Sequence, residues 1–425
     1  MSWQKVKLGE LCVMEKGNIG ITKAIAGEYP LVVTSENRKS HNEYQFDDEA
    51  VIIPLVSSTG HGHKSLKRIH YQEGKFAVGS ILCAVIPKDK SILNAHYLYR
   101  YLDLNKENEL VARMKGMANV TLPMKEIANI EIPLPDIETQ FQFVEKINSI
   151  EAIKDDLVAE QETQLTHLRL LRKQILSDAM QGKLDVPRIV GESGADLLAS
   201  IHAEKAKNTN KAKPLPEIKD PDIPFAIPEH WTWCRLGDIF KFIDYRGKTP
   251  VRTDTGVRLI SAKNIKMGYI DNNPIEYIDE NHYDSWMVRG FPKNGDLLFV
   301  TEGHTMGFVA QIDLDFKYIL AQRTICLQPY SYDYSSFTKY LIMSEPIQRK
   351  IKSMATGAAA TGVKSSKLKE LVIPLPPLSE QIAIVSKIES LMALCNKLEV
   401  NIRQNQEYTQ MLYQTALREA LQQPA

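Results

Sequence analysis

The chain has 425 residues, 44% of them apolar and 24% charged, and its 52 basic and 52 acidic side chains cancel. That length exceeds what one core organises, so two or three domains are expected, and the composition is that of a folded protein rather than a fibrous or disordered one. Zero net charge decides nothing about nucleic acid, because a basic face can be balanced by an acidic one.

No apolar run reaches the roughly 18 residues of a membrane span. The opening MSWQKVKLGELCVM has no apolar signal core, so a cytoplasmic protein without membrane attachment is expected. Five scattered cysteines (Cys12, Cys83, Cys234, Cys326, Cys395) fit buried, reduced thiols rather than a disulfide framework or a zinc site.

In chain order, the first phrase to note is Trp3-Gln-Lys-Val-Lys-Leu-Gly-Glu-Leu11. Short apolar runs follow, AVIIPLV (50–56) and GSILCAVIP (79–87), bounded by Gly, Pro, Asn and Asp; they read as strands. NAHYLYRYL (94–102) predicts a short helix whose tyrosines belong to a core. At Ile132 begins IPLPDIETQFQFVEKINSIEAIKDDL. Its prolines forbid helix before about Asp136, and no Pro or Gly then appears until Gly182, so a helix of about 43 residues and about 65 Å is predicted.

Residues 191–230 are rich in Lys, Asn and Pro in their middle. They read as a linker with weak helix at Ala195–Lys207, a tether long enough for the chain to travel back along the helix. WTWCRLGDI then begins at Trp231, 228 positions after Trp3, with Trp, Leu-Gly, an acid and an aliphatic residue in the same places. GDLLFV (295–300) and YILAQRTICLQP (318–329) read as strands, and Ser335–Met343 as a short helix. At Ile373 stands IPLPPLSEQIAIVSKIESLMALCNKL, 241 positions after Ile132, with Ser379 as N-cap and Glu380 in the first turn. The two copies share Gln140/Gln381, Val144/Val385, Lys146/Lys387, Ile147/Ile388, Ser149/Ser390, Ala152/Ala393 and Leu157/Leu398.

The chain is thus two tandem units, each a globule followed by a long helix, with 13 more residues between the two phrases in the second unit (241 less 228). Near-heptad apolar positions need a partner helix, and the other copy is the obvious one. We expect an antiparallel pair about a pseudo-two-fold axis, with the globules at opposite ends. Leu157, Leu168, Leu171, Leu398, Ile402 and Leu412 are expected in the seam, and Gln161, Gln164 and Asn405 as polar register pins. Two independent coiled-coil arms are the plainer alternative.

The doubled IPLP-x-x-x-x-Gln-x-x-x-V-x-K-I and Trp…Leu-Gly-[DE]-[LI] phrases carry a resemblance over nearly the whole chain. The second unit adds Tyr245-Arg-Gly-Lys-Thr-Pro250, Ile260-Ser-Ala-Lys-Asn-Ile265, Gly295-Asp-Leu-Leu-Phe-Val300 and Gly303-x-x-x-Gly307. This ordered set resembles the specificity subunit of type I restriction–modification systems. The resemblance implies an α+β fold: two mixed α/β target-recognition domains in tandem, separated by two long antiparallel coiled-coil helices. The expected boundaries are 1–135 and 231–376 for the domains, 136–190 and 377–425 for the spacer helices, and 191–230 for the linker.

The same resemblance implies a non-catalytic reader of a bipartite, asymmetric site in double-stranded DNA. Two modification (methyltransferase) subunits would dock on the helices, and restriction (motor/nuclease) subunits would join them. No cofactor would be bound by this chain; S-adenosylmethionine belongs to the modification subunit, ATP and Mg to the restriction subunit.

DNA readers need cations and amides for phosphates and forked polar side chains for base edges. In the first unit SSTGHGHKSLKR (57–68) supplies Ser57, Ser58, Thr59, His61, His63, Lys64, Lys67 and Arg68 on two glycines, in place of the second unit's RGKTP. In the second unit Arg246, Lys248 and Thr249 sit on a Gly/Pro-shaped turn, and Lys263 and Asn264 precede another turn at Gly268. Trp231 to Pro376 holds 19 Lys+Arg against 15 Asp+Glu, a mild excess that leaves phosphate binding to be shared with partners.

Catalytic readings fail on spacing. GHGHKS (60–65) lacks the glycine before Lys64 that a phosphate-cradling loop needs. His61 and His63 have no Cys or acidic cluster for a metal. Asp313-x-Asp315-x-Lys317 lacks a further acid, and Asn273-Pro274-Ile275 lacks the second Pro and the aromatic of a base-methylation motif. A methyltransferase or nuclease with an unrecognised motif is the alternative function, and a coiled-coil scaffold the third.

Overall fold

The doubled phrases turn out to be partners of each other. In the computed structural model, which describes residues 3–59, 62–208, 214–245, 250–321, 323–356 and 361–422, the chain divides into two units, 1–162 with 403–425, and 163–402. In the first, strand Lys5–Lys7 of the Trp phrase pairs antiparallel with Glu131–Pro133 of the IPLP phrase, Val6 opposite Ile132. In the second, Thr232–Arg235 pairs with Val372–Leu375, Cys234 opposite Ile373, which is the same register. Leu8 N–H donates to the Ile130 carbonyl and Leu236 N–H to that of Leu371, both at 2.9 Å. Each globule is closed by the residues the repeat preserves.

Unit 1 builds a four-stranded antiparallel sheet in the order Cys12–Lys16, Leu82–Pro87, Ala50–Pro54, His70–Gln72. Unit 2 repeats that order with Phe240–Asp244, Thr324–Pro329, Leu297–Val300 and Val309–Gln311. The inner strands Ala50–Pro54 and Leu297–Val300 are buried at every position, which is why AVIIP and LLFV run apolar without alternation. A second four-stranded sheet contains one parallel pair in each unit, Tyr29–Val32 with Lys75–Val78 and Val257–Ile260 with Tyr318–Leu320. The short helices Ala95–Leu104 and Ser335–Met343 bury Tyr97 and Phe337, so these aromatics are core. All five cysteines are free and buried.

The long helices run Ile137–Met180 and Leu378–Gln422, starting directly after their proline phrases. The shared glutamine explains how a chain turns from extended Pro-x-Pro into helix. The Gln140 Nε2 group donates to the Pro135 carbonyl and Gln381 Nε2 to that of Pro376, each at 2.9 Å, and both side chains are buried. They satisfy a carbonyl that the proline phrase leaves outside both strand and helix.

The two helices pack together and antiparallel. In unit 1 Gln161 Nε2 donates to Thr409 Oγ1 at 3.0 Å, the Tyr413 hydroxyl donates to Glu151, and Ile147 packs with Leu417 and Ala420. In unit 2 Arg172 pairs with Glu399 at 3.2 Å, and Leu168, Ile175 and Leu176 join Ile384, Ile388 and Cys395 in the core.

The expected seam needs correction. Leu168 is buried and Ile402 packs against the unit 2 core, but Leu157, Leu171, Leu398 and Leu412 are 45 to 68% exposed. The seam instead passes through the polar positions that look like interruptions in the sequence, Gln161, Thr409 and the Arg172–Glu399 pair. Gln161 is a buried seam residue; Gln164 and Asn405 are exposed. Each helix therefore carries two stripes, and apolarity alone drew residues from both.

The linker also differs from a travelling tether. Helix Gly194–Asn208 buries Ile201 in the unit 2 core. Arg235 donates to the carbonyls of Pro216 and Glu217 and holds that stretch down. Gly182, just past the first long helix, has its Cβ side filled by Pro228 and Trp231, so the linker starts and ends in the same place. There Glu380, nearly fully buried, accepts from Trp231 Nε1 at 3.0 Å and His230 Nε2 at 2.6 Å. Among the described residues no helix is long and apolar enough to cross a membrane.

Candidate nucleic-acid interface

In unit 1 the loop 57–68 leaves the inner strand Ala50–Pro54 and returns to the edge strand His70–Gln72, anchored by buried Leu66 and Ile69. Its first three hydroxyls face inward on the loop itself. Ser57 Oγ lies 2.6 Å from the His63 carbonyl and accepts from Ser65 N–H at 3.2 Å. Thr59 Oγ1 and Ser65 Oγ share a hydrogen bond of 2.8 Å, and Ser58 Oγ accepts from Lys67 N–H at 2.8 Å. Ser57, Ser58 and Thr59 thus hold the loop in shape, a role that Ser and Thr fill by bonding to nearby backbone. His63, Lys64 and Lys67 are left exposed, and Arg68, partly buried, pairs with Glu36 at 3.1 Å. His61 lies outside the described residues.

A second loop, missed in the sequence, lies against the first. Lys115 and Thr121 exchange two backbone hydrogen bonds of 2.8 Å, and Ser57 N–H donates to the Val120 carbonyl at 3.0 Å. At the hairpin tip Gly116 has φ +115°, and a Cβ there would fall 2.2 Å from the Asn119 carbonyl oxygen, so only glycine fits. The next residue, Met117, is 95% exposed, and its carbonyl fills the Cβ side of Gly62 in the first loop.

Unit 2 repeats this pairing. Glu302 bridges Gly362, Gly303 N–H donates to the Thr361 carbonyl at 3.2 Å, and Thr356 and Gly362 exchange two bonds. The loop that matches 57–68 is therefore 301–308, the stretch with Gly303-x-x-x-Gly307, and not RGKTP. Gln348 Nε2 donates to the Gly307 carbonyl at 2.8 Å and ties this loop to helix Glu345–Ser353. The slot of RGKTP in unit 1 is instead Gly17 onward, after strand Cys12–Lys16. Matching bonds stand 228 apart at the Trp phrases, 246 apart at Ser57/Gly303 and 241 apart at Val120/Thr361. The 13 extra residues are thus 18 added before the inner-strand loop and five removed after it. One sequence signal was available: Gly116 and Gly357 stand at the 241 offset.

Arg246, Lys248 and Thr249 lie outside the described residues; Tyr245 before them is buried and donates its hydroxyl to the Gly290 carbonyl. Asn264 is fully buried, and its amide is engaged on every side. It accepts from Ser261 N–H and Oγ–H and donates to the carbonyls of Asp271 and Pro274. It shapes the turn and has no group left for a base edge. Lys263 is exposed but paired with Glu276 at 3.0 Å. Electrostatics are sharper in unit 1, where burial first, then Arg38 and Arg68, push His70 down to about 4. His70 is therefore neutral at pH 7 and serves Arg38 as an acceptor, Nη1 to Nδ1, at 3.0 Å.

With this geometry in hand, comparison with known proteins is decisive. Residues 1–167 and 228–407 match the family model described as type I restriction modification DNA specificity domain. The chain belongs to that family.

The two matched segments are the two globules of this specificity-domain chain, each with the start of the helix that follows. The specificity subunit of type I restriction enzyme EcoAI from Escherichia coli is 30% identical over 264 residues, 59% of this chain and 44% of that protein. The chain thus spans less than half the length of that relative. The specificity subunit of MjaVIII from Methanocaldococcus jannaschii is 23% identical over 95% of this chain and 89% of its own. The solved HsdS subunit of Thermoanaerobacter tengcongensis has a TM-score of 0.56 at 17% identity, covering 99% of this chain and 96% of that one, which places the specificity-domain chain in the same fold.

Proposed function

We propose that this chain is the specificity subunit of a type I restriction–modification complex and reads a bipartite, asymmetric site in double-stranded DNA, one half through each unit. The observation that carries this reading is the paired loop. In each unit the loop after the inner strand is hydrogen-bonded to the hairpin that precedes the IPLP phrase, at matching positions and with unmatched sequences. A shared frame holding two different loop pairs suits two different half-sites. In unit 1 His63, Lys64, Lys67 and Arg68 face the DNA, with Met117 beside them offering an apolar contact of the kind thymine methyl groups accept. In unit 2 the loop 301–308 takes that part, and Arg246, Lys248, Thr249 and Lys263 are further candidates for contact with DNA.

Two modification (methyltransferase) subunits dock on the long helices, and restriction (motor/nuclease) subunits join that complex. The outward apolar stripe supports this docking. In unit 1 Ile153, Leu157 and Leu412 line a shallow apolar cleft of about 230 Å³ with Ile150, Tyr413 and Ala416. S-adenosylmethionine, ATP and Mg enter with those partners.

The test is to co-express the chain with its modification subunit and map the methylated positions across a genome. Alanine at His63, Lys64 and Met117 should relax one half of the methylated sequence and leave the other intact. Replacing a base-reading residue should cost about 1–3 kcal/mol. A methylation map that is unchanged by substitutions in either paired loop would overturn the assignment.

A further inference from the structure

Edge strand His70–Gln72, helix Ala95–Leu104 and Asn148 of the first long helix border a cavity of about 600 Å³ in unit 1. Arg38 is fixed in its wall: Nε donates to Gln72 Oε1 at 2.9 Å, Nη1 to the Glu36 carbonyl and His70, and Nη2 to the Tyr71 carbonyl at 3.0 Å. Those acceptors are all uncharged, and among the described residues no carboxylate pairs with Arg38 or with Lys67. Arg68, Arg100 and Lys106 line the same cavity, and their acidic neighbours are Glu36 at 3.1 Å, Glu151 at 2.7 Å and Asp103 at 3.9 Å. Five cations thus face three carboxylates. Burial first, and then Arg38 and Arg68 of this group, hold His70 neutral.

We propose that this cavity seats a stretch of the sugar–phosphate backbone of the DNA that unit 1 reads, with Arg38 as the fixed guanidinium and Lys67 and Lys106 as movable contacts. The inference rests on the reading that the loop 57–68 faces DNA. Lys67 and Arg68 end that loop, so a duplex lying on the loop brings its backbone to the cavity mouth. The volume exceeds that of a lone phosphate and suits a phosphodiester with its sugars. A guanidinium already oriented by four acceptors loses little freedom on meeting a phosphate oxygen, which is what makes arginine effective there. Unit 2 places different side chains there. At the matching places on its helix, Ser336 bonds Gln311 at 3.1 Å and Tyr340 bonds Glu389 at 3.4 Å.

The experiment uses the full chain in complex with its modification subunit, wild type and with Arg38→Gln or Lys106→Gln. Affinity is measured against salt for a duplex carrying the mapped methylation site and for one lacking it, and the methylation map is repeated. Each variant should weaken both duplexes roughly three- to tenfold and make the slope of log K against log salt shallower by about one, with the map unchanged. A methylphosphonate scan of the target duplex should find one neutral linkage that weakens the wild type but not Arg38→Gln. Among the described residues Lys106 Nζ holds only the Lys67 carbonyl and a distant Asp103, so that variant carries the test if Arg38→Gln fails to fold. Unchanged affinity and slope in the variants overturn the proposal, even if inorganic phosphate is found to bind the wild type, and so does a changed target sequence. A wild-type complex that does not prefer its target duplex sinks the DNA reading itself, and the cavity with it.

Discussion

The two units differ most where the chain is least constrained by its own closure. Unit 1 has the longer loop after its inner strand and a short connection before it; unit 2 has 18 more residues before that strand and five fewer after it. What they share is a short set of bonds: Val6 with Ile132 and Cys234 with Ile373, then Gln140 with Pro135 and Gln381 with Pro376. These bonds close the globule upstream of the helix and do not pass through the loops. A frame that closes on itself tolerates loops of any composition, since loop-length changes cost little free energy. The asymmetry of the loops and the symmetry of the frame are therefore one property.

The largest effect should come from exchanging a loop set whole. Replacing about Lys5 to Asn129 with the matching part of a relative leaves the closing strand Glu131–Pro133 in place and brings in the relative's own Trp-phrase strand to pair with it. One half of the methylated sequence should change completely and the other should stay. If both halves change together in the methylation map, the two units do not read independently, and a single composite surface must replace them.

The shared glutamine offers a sharper contrast. Gln140 makes three bonds: it donates to the carbonyls of Pro135 and Ile92 and accepts from Asn94 N–H at 2.8 Å. Gln381 donates to Pro376, and its Oε1 atom is buried without a partner. At about 1 kcal/mol net per buried bond, Gln140→Ala should cost about 3 kcal/mol and Gln381→Ala about 1–2. Urea unfolding of the two variants checks this. Equal costs would mean that the glutamine acts through packing alone.

Much of the frame was legible because it repeats. Phrases 228 and 241 positions apart located both helix starts and marked, without showing them as strands, the residues that close each globule. The seam was legible only in part: Leu168, Ile402 and Gln161 are in it as expected, but Leu157 and Leu412 are as apolar as Leu168 and lie outside it, and hydropathy cannot tell a partner helix inside the chain from one outside it. The hairpin 115–121 was missed for a different reason. Its defining features are the φ of Gly116 and a bond from Ser57 to Val120, 63 positions on, and neither leaves a periodic trace. Asn264 illustrates the reverse error, since an amide suited to reading adenine is equally suited to closing a turn.

A smaller effect separates the units by pH. His70 has its pKa pushed down to about 4, against an ordinary value near 6.5. Between those values the unfolded chain takes up a proton that the folded one refuses. Stability should be level above about pH 7 and fall as pH drops from 6.5 toward 4, by at most about 3 kcal/mol from this residue. His70→Gln removes the titration. Urea midpoints at pH 7, 6 and 5 should drop more steeply for the wild type than for the variant, and parallel lines would show that Arg38 and burial do not hold His70 neutral.

The smallest effect on the chain itself should come from its most apolar exposed residues. Leu157 and Leu412 are 45% and 68% exposed, whereas Leu168 is 6% exposed. Leu→Gln at the first two gives up little burial, so each should shift stability by no more than about 0.5 kcal/mol, while Leu168→Ala should cost about 2–5. The same two changes place an amide in the middle of the outer stripe, where a partner helix would have to bury it. Thermal unfolding of the chain and co-purification with the modification subunit then move in opposite ways: the first holds and the second fails. Were Leu157→Gln to destabilise the chain as Leu168→Ala does, the seam would follow the heptad after all, and the outer stripe would lose its reason for being apolar.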